Sequence, residues 1–534
     1  MSPSKAQTMG DLVERGARAY ADSPALIFYD EIVTYRNLFE LARETARRML
    51  GSGLQPGDRV ATWLPNGTPF VATLFGAALA GLTLVPLNTR FKILDAADSL
   101  RKSGARALFF NESFLGIDFF DMVQKIRSRS DLPELELVVN MGDNGAPGIL
   151  PCEKWRRETK LVDLLPSVDP DSPATINFTS GTTASPKGAV ISHQSLLRTA
   201  REVGARMGIT RADRMVTAMP FYHNGGMVVS LTTCLISGCA LYSQPRFDPD
   251  YVLDTITRDK CTIMSGVGTM YIMMINSPAL MRADLSSVRC LRMTAPADMR
   301  RAAHELFRNA ALYSLYGMTE STAAATLTLP TDSVDEQVET NGKPLPSAAI
   351  RIVDANGQGV SRETKGEIWI GGKSIMKGYY RDPQATAQVL TPDGWLRSGD
   401  LGYIDARGNT VLIGRQKDMY RSGGENVACG EVEELLRTHP AVLHAAILGV
   451  PDPRMDEVGL ALIELHPGAT ATEQEIQDFC RQNFANFKVP RYVMFCHDLP
   501  MTASGRVQKF RMRDQALEFV ESRSNQDVRF PHAN

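Results

Sequence analysis

Over the first four hundred residues, short β-branched and apolar runs alternate with stretches that repeat apolar positions at helical spacing. ArgValAlaThrTrpLeu at 59–64 and AlaIleArgIleVal at 349–353 are examples of the runs. That alternation predicts layered α/β structure with parallel sheets. The N-terminal MetSerProSerLysAlaGlnThrMetGly segment and the residues to Tyr20 alternate charges at helical spacing without an apolar run, so they read as ordinary helix, not as a leader. The stretch 69–87 is apolar and long enough to cross a bilayer. Gly76, Gly81 and Pro86 interrupt it, which instead predicts a buried helix, a turn and a short core strand.

Farther on, 414–424 packs charges and glycines between the strand-like ThrValLeuIle at 410–413 and the helix-like GluValGluGluLeuLeu at 431–436. Few apolar residues there mean few crossing contacts, so a boundary is placed at 416/417. The division is a large domain, 1–416, and a small one, 417–534. The small domain is expected to be α+β, with a helix near 431–438, strands near 443–450 and 458–465, and a helix near 473–484. No period of 20–50 residues repeats, which excludes solenoids and propellers.

Length changes this picture little, since 534 residues suggest about three to five cores. Charge narrows it more: 58 basic against 60 acidic residues leave a net charge of −2 and no broad positive field for nucleic acid or an anionic membrane. Any polyanion must meet a local site. The eight cysteines (152, 234, 239, 261, 290, 429, 480, 496) include no C-x-x-C pair, so they are expected to be buried thiols in a reducing cytoplasm and not a disulfide framework or zinc ribbon.

The strongest local signal is Thr179-Ser180-Gly181-Thr182-Thr183-Ala184-Ser185-Pro186-Lys187-Gly188. Glycines let a backbone approach a phosphate chain, hydroxyl and amide groups donate to it, and Lys187 adds a point charge. The spacing is not that of a Walker loop. The segment resembles the phosphate loop of the adenylate-forming superfamily, which includes acyl-CoA synthetases, nonribosomal adenylation domains and luciferases. It is followed, in that superfamily's order, by MetProPheTyrHis at 219–223, TyrGlyMetThrGlu at 316–320, TrpLeuArgSerGlyAspLeuGly at 395–402, GlyArgGlnLysAsp at 414–418 and SerGlyGlyGluAsn at 422–426. GlyAspArgVal at 57–60 and ValProLeuAsn at 85–88 extend the likeness to nearly the whole chain.

The resemblance implies a large N-terminal domain of layered α/β subdomains with a small distorted barrel, and a small mobile C-terminal domain. It implies that Tyr316 stacks on adenine, with Ala295, Pro296, Gly317 and Met318 beside the nucleotide. Thr319 would contact the α-phosphate, and Glu320 would hold Mg²⁺, a hard cation suited to one carboxylate plus phosphates and water. Asp400 would take the ribose hydroxyls and Arg415 would also reach the nucleotide. His223 would lie between the nucleotide and the acyl group, with Tyr222, Asn224, Gly225, Gly226, Gly266 and Gly268 in the acyl-pocket wall. These glycines imply a roomy, mainly apolar pocket for a bulky or aromatic acid.

The superfamily runs two half-reactions in two orientations of the small domain: carboxylate plus ATP to acyl-adenylate, then thiol attack to release AMP. By resemblance the pivot is Lys417, and Gly423 and Gly424 line the channel for coenzyme A. Phe487, Lys488 and Arg491 are candidates for its nucleotide end, by stacking and phosphate pairing. Two positions depart from the pattern. Ala184 replaces a glycine in the phosphate loop. Arg506, in ProMetThrAlaSerGlyArg at 500–506, replaces the lysine that adenylation uses, and a broad planar fork is no substitute for a slim point charge. Both changes touch the ATP-dependent half, so the expected enzyme is an acyl-CoA ligase deficient in adenylation, fed an acyl-adenylate by a separate enzyme. A complete synthetase, or a module that loads a carrier protein, are the alternatives; no carrier-like segment follows the small domain.

Overall fold

The computed structural model describes all residues except 1, 129–130, 180–185, 416–417, 423–424, 453–454, 485, 503–505 and 528–534. The alternating pattern folds into two sheets rich in parallel pairs. In the nine-stranded sheet, neighbours run from Lys343–Pro344 through Thr326–Leu327, Ala311–Tyr316, Cys290–Thr294, Ile263–Val267, Arg214–Thr217, Ala240–Ser243 and Pro24–Phe28 to Glu31–Thr34. Every neighbouring pair from Ala311–Tyr316 through Pro24–Phe28 is parallel, and antiparallel pairs finish both edges. The seven-stranded sheet runs Lys187–Ser192, Pro173–Thr179, Thr83–Pro86, Arg59–Trp63, Ala107–Phe110, Leu137–Asn140, Leu150–Pro151. Its central strands are covered on both faces and read as unbroken apolar runs; all four residues of Ala107–Phe110 are buried.

The bilayer-length stretch is a helix, Thr68–Leu79, a turn through Gly81 at φ +69°, and the strand Thr83–Pro86. The helix is buried from Phe70 to Ala78 on every side, so its apolar residues face protein instead of lipid. Among the described residues no helix is long and apolar enough to cross a membrane. Nearby, Trp63 stacks on Phe119 with ring centroids 4.6 Å apart inside the core of the seven-stranded sheet. All eight cysteines are free thiols, and only Cys496 keeps appreciable exposure.

Packing divides the chain into two units: Met1–Ala295, Met299–Arg351 and Trp369–Arg397 form the larger, and Pro296–Asp298, Ile352–Ile368 and Ser398–Asn534 the smaller. The boundary expected at 416/417 lies outside the described residues. A four-stranded sheet of Ala348–Val353, Gly366–Gly372, Leu396–Ile404 and Thr410–Arg415 is the small barrel-like element. In the smaller unit the helices are Cys429–Arg437 and Glu473–Asn483, and the long strands are Val442–Asp452 and Asp456–Leu465, each within a few residues of expectation. These strands bury both faces. Ile447, Ala461 and Ile463 meet Val432, Leu436, Ile476 and Cys480 on one side. Ala446, Leu448, Leu460 and Leu462 meet Met512, Ala516 and Val520 of the Lys509–Asp527 helix on the other. Thr472 and Glu475 form a reciprocal capping box that starts the Glu473–Asn483 helix.

Gly76 marks a close helix contact of the larger unit: a Cβ there would lie 2.8 Å from Thr45 Cγ2 on the Tyr35–Gly51 helix. Gly76→Val is expected to push these helices apart and lower the unfolding free energy by about 1–3 kcal/mol. Urea denaturation checks this, and an unchanged midpoint refutes it.

Candidate functional site

Four groups of candidate residues, scattered over a hundred positions of sequence, follow four neighbouring parallel strands. Tyr222–Gly226 come after Arg214–Thr217, Gly266 and Gly268 lie at the end of Ile263–Val267, Ala295 and Pro296 follow Cys290–Thr294, and Tyr316–Glu320 end Ala311–Tyr316. These strands are adjacent in the sheet, so their carboxyl ends share one edge. Ligands of open α/β sheets bind at such an edge.

Tyr316 is the buried last residue of its strand. A Cβ on Gly317 would collide with the Ala323 carbonyl, so only glycine lets the chain fold back there. Thr319–Ser321 then form a single 3₁₀ turn, closed by Ser321 Oγ and the Met318 backbone. Thr322 and Ala323 both adopt positive φ, 56° and 77°, which costs about 1–3 kcal/mol each. The turn aims the buried Glu320 carboxylate at Tyr379, whose hydroxyl donates to Oε1 at 2.7 Å. Burial, reinforced by the Glu320 charge, raises the Tyr379 phenol well above its ordinary range, so it stays a donor. No described residue donates to the second oxygen of Glu320.

Tyr379 was not singled out from the sequence, and it binds the site together. Residues 377–380 run antiparallel to the strand Lys187–Ser192: Lys377 N–H donates to Val190 O, Val190 N–H to Gly378 O, and Tyr380 N–H to Gly188 O. Met376 N–H donates to Glu320 O at 2.8 Å. Lys187 Nζ sits 5.4 Å over the Tyr379 ring, so the phosphate-loop lysine and the Glu320 carboxylate share one tyrosine. Thr179 ends the strand that precedes the loop. The candidates Ser180, Gly181, Thr182 and Thr183, and the substitution at Ala184, lie outside the described residues.

The His223 loop is pinned by a residue that sequence reasoning missed. Buried Asn66 donates to Met219 O (2.9 Å) and Ser243 Oγ (3.1 Å) and accepts from Phe221 N–H (2.7 Å). His223 is surrounded by protein yet keeps some accessible surface, as a cavity-lining ring would. Desolvation brings its imidazole down to about 4, so it is neutral at pH 7. Tyr222 lies against it, ring centroids 4.7 Å apart. Gly225–Thr232 form a π-helix, a wide turn that is rare except at functional sites; Thr232 and Thr233 hydroxyls bond the carbonyls five residues back. Asn224 Nδ2 reaches Thr319 O at 3.4 Å and joins this wall to the Tyr316–Glu320 segment.

The glycines of that wall have packing reasons of their own. A Cβ on Gly226 would strike the Pro220 carbonyl, and one on Gly268 would lie 2.5 Å from Met299 Sδ and 2.8 Å from Ala295 Cβ. The room these two positions were expected to leave is filled by protein atoms.

In the smaller unit, Asp400 is buried, and its backbone N–H is held by Ser398 Oγ at 3.0 Å. Arg415 faces it in register on the neighbouring strand. Arg506 is exposed, its backbone paired with Thr502 in both directions, at 3.0 Å and 2.7 Å. Lys509 is half of an ion pair with Glu433 at 2.6 Å, both side chains under 20% exposed. Burial is the largest single influence and opposes its charge, but Glu433, Cys429 and Asp418 together raise its pKa. Arg491 pairs with Asp452 at 2.7 Å, and Lys488 with Glu431 at 2.6 Å. Phe487 packs partly buried against the core. Lys417, Gly423 and Gly424 lie outside the described residues. Among the described residues no three His, Cys, Asp or Glu side chains converge on a metal position.

Residues 13–380 match the AMP-binding enzyme family, and 431–506 match the AMP-binding enzyme C-terminal domain. The chain is 34% identical over 521 residues, 95% of its length and 98% of the relative's, to a methyl-dioxo-octahydro-indenyl propanoyl:CoA ligase of Rhodococcus jostii (strain RHA1). It is 31% identical to a mitochondrial medium-chain acyl-CoA ligase of Bos taurus, covering 95% of this chain and 87% of that one. Among solved structures, an anthranilate CoA ligase in complex with anthranoyl-AMP superposes with a TM-score of 0.87 at 27% identity, over 96% of this chain and 98% of that chain.

Two histidines should govern acid stability. His193, fully buried with Nδ1 accepting from Met9 N–H at 3.3 Å, is held at about 4 by desolvation, as is His223. The unfolded chain protonates near 6.5, so stability is full above that pH and drains as pH falls toward 4, by about 3 kcal/mol per histidine. His193→Asn, which retains an acceptor, is expected to flatten the dependence of the urea midpoint on pH between 7.5 and 4.5. An unaltered dependence refutes this.

Proposed function

We propose, from the premise that this chain belongs to the AMP-binding enzyme family and is an acyl-CoA synthetase of the adenylate-forming superfamily, that it acts mainly in the second half-reaction. There the thiol of coenzyme A attacks the carbonyl of an acyl-adenylate; the C–S bond forms, the C–O bond to phosphate breaks, and AMP leaves with the electron pair. In the first half-reaction a carboxylate oxygen attacks the α-phosphorus of ATP and pyrophosphate leaves. That step needs a cation beside the acid's oxygen and the α-phosphate, where preorganised charge counts most.

One observation carries the reading: the position of the adenylating lysine is Arg506, and the nearest lysine, Lys509, is bound to Glu433. Lys509 therefore cannot supply the missing charge without abandoning a buried carboxylate, a costly exchange. The acyl-adenylate would come from a separate adenylating enzyme in the same reducing, cytoplasmic compartment.

The remaining roles follow chemistry. Tyr316 offers a face for adenine, with Ala295, Pro296, Gly317 and Met318 around it; Asp400 accepts from the ribose hydroxyls, and Arg415 and Lys187 serve the phosphates. Mg²⁺, when bound, neutralises phosphate charge. Glu320 fits it, with one oxygen held by Tyr379 and the other unclaimed by any described donor. His223, neutral at pH 7, lines the acyl side without adding a charge that would compete for the acid. Lys417 is the pivot, and Gly423 and Gly424 admit the thiol arm. Arg491 and Phe487 serve the nucleotide end of coenzyme A, Arg491 from within its pair with Asp452. A bulky, ring-bearing acid is supported by the two ring-bearing acyl groups named for similar ligases.

With acid and ATP alone, pyrophosphate exchange is expected to be roughly 10²–10³ slower than thioester formation from synthetic acyl-adenylate and coenzyme A. Arg506→Lys should raise exchange toward the thioester rate. Exchange as brisk in the parent chain as in that variant would identify a complete synthetase and overturn the proposal. Loading of a carrier protein in place of acyl-CoA release would do the same.

A further inference from the structure

Arg292 sits mid-strand in Cys290–Thr294, in register with Ser265 on one side and Tyr313 on the other. It is 2% exposed, among the largest fully buried side chains of the chain. Its Nη1 donates to the Gly266 carbonyl at 3.2 Å, and its Nε has no partner. No carboxylate of the described residues pairs with it; the titratable neighbour is the Tyr271 phenol, which burial keeps neutral. Desolvation pulls the guanidinium down to about 10, still protonated at pH 7. Two other strongly buried cations have acceptors in the fold: Lys509 has Glu433, and Arg300 Nη1 has the Ser314 hydroxyl and the Thr340 carbonyl.

A planar fork of five donors, buried with one recorded acceptor, is expensive unless something completes it. Its place indicates what does. Nη2 would lie 3.7 Å from a Cβ on Gly225, and Nη1 holds Gly266, two residues of the expected acyl wall. Gly226 N–H donates to His223 O, so this wall is continuous with the His223 loop.

We propose that Arg292 determines specificity for the acyl tail: its guanidinium takes a second oxygen acceptor, carboxylate or carbonyl, carried by the acid remote from the reacting carboxyl group. The substrate class is then an oxygenated acid, dicarboxylic or oxo, rather than an unsubstituted chain. This rests on the acyl-CoA ligase reading and refines its substrate. A site built around a buried donor rejects an analogue lacking the acceptor far more strongly than an apolar pocket distinguishes one methylene, because the donor is left unpaired.

The test supplies synthetic acyl-adenylates with coenzyme A, which removes the question of adenylation. Three tails of equal length are compared: one ending in a carboxylate, one bearing an oxo group, one unsubstituted. The parent chain should favour an oxygenated tail by about 10²-fold in kcat/KM. The carboxylate-against-oxo comparison identifies the acceptor. In Arg292→Met the preference should shrink to a few-fold, and Arg292→Lys should keep part of it. No preference in the parent, or the same preference in Arg292→Met, overturns the proposal; loss shared equally by all tails gives that second result and assigns Arg292 to the reacting carboxyl group or to the fold.

A second readout is independent of turnover: melting of the full chain with free dicarboxylate against monocarboxylate of equal length. The dicarboxylate should raise the Tm of the parent and not of Arg292→Met; equal shifts, or none in the parent, overturn the proposal. Should no adenylate yield thioester, the ligase reading fails while this melting arm still decides the role of Arg292. Where Arg292→Met does not fold, Arg292→Lys carries both readouts, with a partial loss expected and an unchanged ratio overturning.

Discussion

The parallel alignment of four neighbouring strands is the constraint from which the rest of the site follows. Parallel strands cannot be joined by hairpins, so each connection crosses back over a face and the next strand starts from the same end. The loops at the carboxyl edge therefore share one side of the sheet, however far apart in sequence. Tyr222–Gly226, Gly266, Ala295 and Tyr316–Glu320 are neighbours for that reason alone. The strands are largely buried and mainly apolar, Arg292 being the buried charged exception, and their ends are left as the place for polar chemistry.

Alignment brings loops together but does not fix side chains within ångströms. That is done by the backbone pairing of 377–380 with Lys187–Ser192 and by the Met376 contact to the Glu320 carbonyl. The pairing carries Tyr379 to a point where its hydroxyl meets Glu320 and its ring meets Lys187. A donor that burial keeps protonated orients the carboxylate without neutralising it. The consecutive positive-φ residues Thr322 and Ala323 are strain that the same network holds in place, Thr322 Oγ1 bonding the Ser374 carbonyl and Ala323 N–H the Met318 carbonyl. Asn66 does the equivalent work for the His223 loop from more than a hundred and fifty residues away.

What the sequence made legible was periodicity and local chemistry. The 69–87 stretch resolves as helix, turn and strand with Gly81 at the turn and Pro86 ending the strand, while Gly76 falls inside the helix at a close contact; the double-faced burial of Val442–Asp452 and Asp456–Leu465 shows as mainly apolar runs. The motif at 316–320 and the carboxylate at 400 were legible only through the ordered resemblance to the adenylate-forming superfamily; alone, Asp400 reads as a turn residue. Tyr379 and Asn66 were not, because their roles exist only once distant segments pair, and an isolated tyrosine or asparagine carries no pattern. The π-helix at Gly225–Thr232 was hidden for another reason: its apolar sequence suits a wide or an ordinary helical turn equally. Glycines misled in part, since Gly226 and Gly268 are required by close packing as much as by any ligand.

A near-neutral composition conceals how unevenly charge is placed. Cations answer to partners in the fold: the mostly buried Lys509 to Glu433, and the exposed Arg289 and Arg491 to the nearly buried carboxylates of Asp213 and Asp452. Such pairs contribute little net stability, but they fix where a charge cannot go. Lys509, three residues from Arg506, is held in this way, and under the proposed reading the adenylating position falls to a guanidinium whose shape differs from an ammonium. Arg292 is the opposite case, a charge the described fold buries without a counter-ion. Under the proposal made for Arg292, the missing acceptor is carried by the acyl group that enters and leaves.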